Sequence, residues 1–155
     1  MYEATGDERL VPIEPPLPEA EPGSPSPRLV ASPFEAAVAY WTSVRSGGPA
    51  VALVRFAGAS IYLAPPNDEA LEGHPLYSLG LQPYEFAEVL TSPWIAAMER
   101  RNRVHDLHNP AGFSGLRHFI LPFHDSTFEC VARSYDASVT EAGDPASALV
   151  LPLLG

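Results

Sequence analysis

Apolar and polar residues alternate strictly on either side of a short polar loop in residues 117–133. Phe119, Leu121 and Phe123 take every second place before the loop, and Phe128, Cys130 and Ala132 take every second place after it. A period of two belongs to a strand with one buried face, so the stretch predicts a hairpin. Setting Phe123 opposite Phe128, Leu121 opposite Cys130 and Phe119 opposite Ala132 gathers all six on one face. A slip of one residue would scatter them. Pro122 has no N–H to give a ladder, and the four-residue loop His124-Asp125-Ser126-Thr127 leaves it where none is needed.

Other stretches carry weaker patterns. After Ser32-Pro33-Phe34-Glu35, whose residues suit a cap, a first helical position and a capping box, Phe34, Ala37, Val38, Trp41 and Val44 recur at helical spacing. A helix ending at Ser46-Gly47-Gly48 is expected, with Trp41 in the core. Residues 50–56 and 60–64 read as a second hairpin turning at Ala57-Gly58-Ala59, with Arg55 across from Tyr62. Residues 65–83 are too rich in Pro and Gly for a regular element. Leu76, Leu79 and Leu81 nonetheless want burial, so a packed loop is expected, lying over the sheet with His74 and Tyr77.

Residues 84–90 lean to a strand. Ser92-Pro93-Trp94 opens a second helix running to about Val104, and residues 148–154 form a strand or cover apolar surface. The elements add up to an α+β fold: an antiparallel sheet of about four to six strands built from two hairpins, one face covered by two helices, with a long packed loop between.

Composition divides the chain. Residues 1–31 hold seven prolines and six acidic residues with few large apolar groups, which predicts a disordered tail before a single domain over 32–155. Net charge is −10 and all nine basic residues are Arg. Such a balance argues against nucleic acid and against an anionic membrane surface. The single cysteine, Cys130, allows no intrachain disulfide and falls on the apolar face, as a small core residue would. No apolar run approaches a membrane span and no leader pattern opens the chain, so a cytoplasmic protein is expected.

All five histidines lie between residues 74 and 124. Beside the central hairpin loop, His124 with Asp125 and Glu129 offers a carboxylate–imidazole pair for acid–base work; the same residues equally serve to fasten a turn. His105 and His108, spaced His-x-x-His, are candidate metal ligands without a recognised metalloenzyme signature. Arg100, Arg101, Arg103 and Arg117 concentrate guanidinium groups suited to carboxylate or phosphate, although basic residues at a helix end also complement its dipole. Candidate ligand contacts are therefore His74, Tyr77, Arg101, Arg117 and Thr127.

No Walker loop, Rossmann glycine pattern or Gly-x-Ser-x-Gly elbow is present, and no cofactor is expected. The leading expectation is a small protein that binds an anionic molecule or a protein partner through a His-rich site beside the 124–129 loop. The rival is a small enzyme using His124 and Glu129, with or without metal. Oligomeric state is not legible.

Overall fold

The computed structural model describes residues 2–44, 47–64 and 69–154. Seven strands form one antiparallel sheet: β1 (Arg9–Pro12), β2 (Arg28–Ala31), β3 (Glu35–Ser43), β4 (Pro49–Ala64), β5 (Ala87–Leu90), β6 (Arg117–Pro122) and β7 (Thr127–Thr140). Their spatial order is β1-β5-β6-β7-β4-β3-β2. Helices α1 (Pro93–Asn102), α2 (Ala111–Ser114) and α3 (Pro145–Leu154) accompany two 3-10 turns, Glu69–Gly73 and Tyr77–Leu79. The expected sheet of four to six strands under helices starting at Pro33 and Pro93 is corrected: the sheet is larger and the first helix is a strand.

That helix fails for a physical reason. Residues 36–40 of β3 are all buried, so apolar residues occupy both faces and satisfy helical and strand spacing alike. Ladders to β2 and β4 on its two sides settle the matter. The Ser32 hydroxyl does accept the N–H groups of Phe34 and Glu35, but it closes a turn before a strand. Trp41 is half-buried and packs near Leu149 of α3. Ser46, placed at the expected helix end, lies outside the described residues.

The second expected hairpin is also a single strand. β4 runs straight through Gly58, where the pairing with β7 shifts register. A Cβ at Gly58 would stand 2.5 Å from the Ala132 Cα, so glycine marks a close approach of two backbones at a bulge. Arg55 and Tyr62 therefore share a strand and do not face each other.

The central hairpin forms with the faces expected but with a register shifted by two: Phe119 opposes Cys130, Leu121 opposes Phe128 and Pro122 opposes Thr127. An even shift preserves the faces. The Phe123 N–H donates to the Ser126 carbonyl at 2.8 Å, which makes Pro122/Thr127 a pair without ladder bonds. Pro122 loses nothing there.

Phe56 packs against Phe119 and Phe128, and Tyr40 of β3 reaches Phe86 and Phe123. Strands three places apart can touch in this way only if the sheet curls over its Phe-lined face. Ile13 and Leu17 fill that concavity. On the opposite face, Leu149 of α3 covers Ala37, Ala39 and Val51. Further along, Leu71, Leu76 and Leu81 join Tyr2 over Ala87, Val89 and Ile120.

Residues 2–31, expected as a disordered tail, are packed. β1 pairs with β5, the Tyr40 hydroxyl donates to the Pro18 carbonyl, and the Thr42 hydroxyl donates to that of Glu19. A few well-spaced apolar groups and long-range backbone bonds outweigh the proline content. The packed loop and the helix after Ser92 lie where the sequence placed them; residues 65–68 of the loop are outside the described residues. Of the strand expected over 84–90 only Ala87–Leu90 forms, and residues 148–154 belong to helix α3, which covers apolar surface and adds no strand.

Candidate functional site

Glu129 lies on β7 between Ile120 of β6 and Tyr62 of β4, pointing away from the Phe-lined core. It is 1% exposed. Its carboxylate receives three donors. His118 Nε2 lies 2.9 Å and the Tyr2 hydroxyl 2.5 Å from Oε1, and His74 Nε2 lies 3.0 Å from Oε2. Burial works to raise the carboxyl's pKa; the bonds from His118, His74 and Tyr2 outweigh it and hold the group at about 2. The Tyr2 phenol moves the other way, raised by burial first and then by the Glu129 charge.

The network fixes the protons that face Glu129. His74 Nδ1 accepts the Leu76 N–H at 3.1 Å, so its proton resides on Nε2. His118 gives its Nε2 proton to Glu129, and in the neutral ring Nδ1 is left to accept from the Ser92 hydroxyl at 2.8 Å. Ser92 caps α1 and also accepts the Ile95 N–H. The rings close together: Trp94 and Tyr2 meet His118 edge-on at 5.3 and 5.4 Å, and Tyr2 stacks on Trp94. Hydroxyl, imidazole and carboxylate thus stand in line, an arrangement able to draw a proton from the serine.

The other candidates are distributed around this cluster. His124 bonds Asp125 at 2.7 Å and lies beside the Tyr84 ring, apart from Glu129. The expected His124–Glu129 pair is therefore corrected, because the two-residue register shift carries Glu129 away from the loop. Tyr77 is half-exposed on the 3-10 turn after His74, and Thr127 is buried opposite Pro122. Arg117 binds Glu88 through two bonds, of 2.9 and 2.6 Å, and its guanidinium lies over Phe119. Arg101 is exposed in the last turn of α1.

His105 and His108 do not converge. His105 Nδ1 accepts the Leu107 N–H, while His108 sits between Asn102 and Glu99. Among the described residues no three His, Cys, Asp or Glu are arranged to hold a metal ion. In the Glu129 cluster both histidines already spend Nε2, the atom facing the carboxylate, as an N–H donor. For His74, whose Nδ1 accepts the Leu76 N–H, that leaves Nε2 without a lone pair for a metal.

Three members of the cluster carried no functional role in the sequence. Ser92 read as a helix cap, His118 only as one of the five histidines, and Tyr2 as part of a tail. The alternation around 118 and 129 did place both on one face. Only the observed register makes them diagonal neighbours.

No family model matches the chain, and no curated protein or solved structure shows a significant match. Among the described residues no helix is long and apolar enough to cross a membrane.

Proposed function

We propose that this chain is a cytoplasmic partner-binding protein that docks an acidic protein surface through the tip formed by the end of α1 and the loop after it. The observation that carries the reading is at Val104 and Leu107, which are 90% and 84% exposed. Large aliphatic groups held in water are characteristic of contact surfaces when they are clustered.

The tip is braced. Glu99 binds Arg103 and His108, His108 also bonds Asn102, and the backbone N–H groups of Arg103, His105 and His108 each close a tight turn. Such a loop presents Val104 and Leu107 in one arrangement, which lowers the ordering cost of binding. Arg100 and Arg101 are exposed in the adjoining helical turn. In a chain of net charge −10, this concentration of cations favours an acidic partner and disfavours a basic one.

A fluorescent peptide of alternating acidic and leucine or phenylalanine residues serves as the probe, read by anisotropy. Binding is expected to weaken with salt and to be lost in the pairs Arg100→Glu/Arg101→Glu and Val104→Ser/Leu107→Ser, both with unchanged melting temperature. Equal binding by wild type and both variants would overturn the reading.

A further inference from the structure

We propose that Ser92, His118 and Glu129 form a second functional centre, one that hydrolyses small neutral esters with an apolar acyl group. The proposal stands apart from the docking tip and rests on three observations.

First, the relay is complete: Ser92 Oγ to His118 Nδ1 is 2.8 Å, and His118 Nε2 to Glu129 Oε1 is 2.9 Å. Which ring nitrogen faces the hydroxyl does not alter the chemistry, because neutral imidazole has one acceptor and one donor. Second, the backbone immediately before the serine is strained, while Ser92 itself is extended. Thr91, a β-branched residue between β5 and Ser92, has φ 57°, a conformation that such residues rarely adopt. Strain of this kind persists where surrounding structure enforces it, and here it turns a strand sharply into a helix with the hydroxyl at the corner.

Third, Ser92 is one of the residues lining a cavity of about 530 Å³, with His118 buried behind it. Leu90, Ile95, Phe113 and Leu116 give the cavity an apolar lining. Its charged groups are mutually neutralised, Glu88 by Arg117 and Glu99 by Arg103. Paired charges leave little to recognise an ionic substrate, while the lining suits an acyl chain or ring.

Ser92 Oγ would attack the ester carbonyl carbon, forming a C–O bond as its proton passes to His118 Nδ1. Glu129 holds the imidazolium. Collapse of the tetrahedral intermediate breaks the bond to the leaving alkoxide, which takes the proton from Nδ1. Water then attacks the acyl-serine, gives a proton to Nδ1, and releases the carboxylic acid as that proton returns to Ser92. Ser92 and His118 are the catalytic residues; Glu129 is a positioning residue.

The full chain is incubated with p-nitrophenyl butyrate and, separately, with an alkyl fluorophosphonate, and the adduct is mapped by peptide mass spectrometry. Ester turnover and a single adduct on Ser92 are expected. Ser92→Asn retains a helix-capping side chain and should melt as a folded protein without forming the adduct. His118→Asn should slow labelling at least about 100-fold. Glu129→Gln should slow it and also move the pH of half-maximal labelling downward, since the imidazolium loses its counter-charge. Folded wild type without turnover or adduct, an adduct elsewhere, or a Ser92→Asn chain that hydrolyses as well as wild type would overturn the proposal. None of these outcomes depends on the Arg100–Leu107 tip.

Discussion

The Leu76 backbone N–H donates to His74 Nδ1 across 3.1 Å, and this one bond decides what His74 can do. With Nδ1 occupied as an acceptor, Nε2 carries the proton and donates to Glu129. In ¹⁵N-histidine spectra, the neutral form of His74 should show the Nε2–H tautomer. His74→Ala removes a donor from a buried carboxylate and should cost about 2–3 kcal/mol of stability in urea titrations. An unchanged midpoint would mean that the loop is not fastened there.

Acid should unfasten the same cluster. Glu129 titrates at about 2 in the folded chain against an ordinary 4.5, so below 4.5 the unfolded chain binds the proton more readily. The carboxylate's contribution is whole above about pH 4.5 and falls as pH drops toward 2. The shift corresponds to about 3 kcal/mol. Glu129→Gln should flatten the acid limb of a stability–pH curve measured by denaturant titration. A limb of wild-type steepness in that variant would place the acid sensitivity elsewhere.

Tyr2 ties the N-terminal residues to the sheet, since its hydroxyl meets Glu129 and its ring lies against Trp94 and His118. Tyr2→Phe keeps the ring and should lose about 1.5–3 kcal/mol with the charged hydrogen bond. Its phenol is raised above the ordinary value, so its share of stability holds below about pH 10 and declines above it. Removing residues 1–17 takes β1, Ile13 and Leu17 as well, and should abolish the cooperative thermal transition. A truncated chain that melts like the full one would show these contacts to be inert.

Gly58→Ala sets a methyl group against the Ala132 Cα, with backbone on both sides of the contact. Neither strand can yield cheaply, so a loss of about 2–3 kcal/mol is expected in denaturant melts. An alanine variant as stable as wild type would mean that the bulge relaxes freely.

Residues with one buried face were readable from the sequence. The Phe119–Phe123 alternation gave the correct faces, and Ser92-Pro93 gave the helix start, because period and cap chemistry are local properties. β3 was not readable in the same way: a strand covered on both sides has no polar stripe to mark its period. Gly58 was ambiguous for a related reason, since a glycine needed for close approach looks the same in sequence as one needed for a turn.

The site was half-legible. His74 was placed over the sheet correctly, and Glu129 was singled out, but the hairpin register was wrong by two. That error set Glu129 opposite Pro122 and near His124, when it lies opposite Ile120 and diagonal to His118. Face patterns cannot detect an even slip. Tyr2 could not have been found at all from local pattern, because its partner lies 127 residues away.

That span bears on how the chain is made. During synthesis the Tyr2 segment leaves the ribosome before β6 and β7, yet its socket does not exist until those strands have emerged and paired. β1 likewise waits for β5, and β3 and β4 can zip together long before either. The Tyr2 segment, made ahead of every strand, is thus among the last to settle, and until it does the Glu129 carboxylate lacks its third donor.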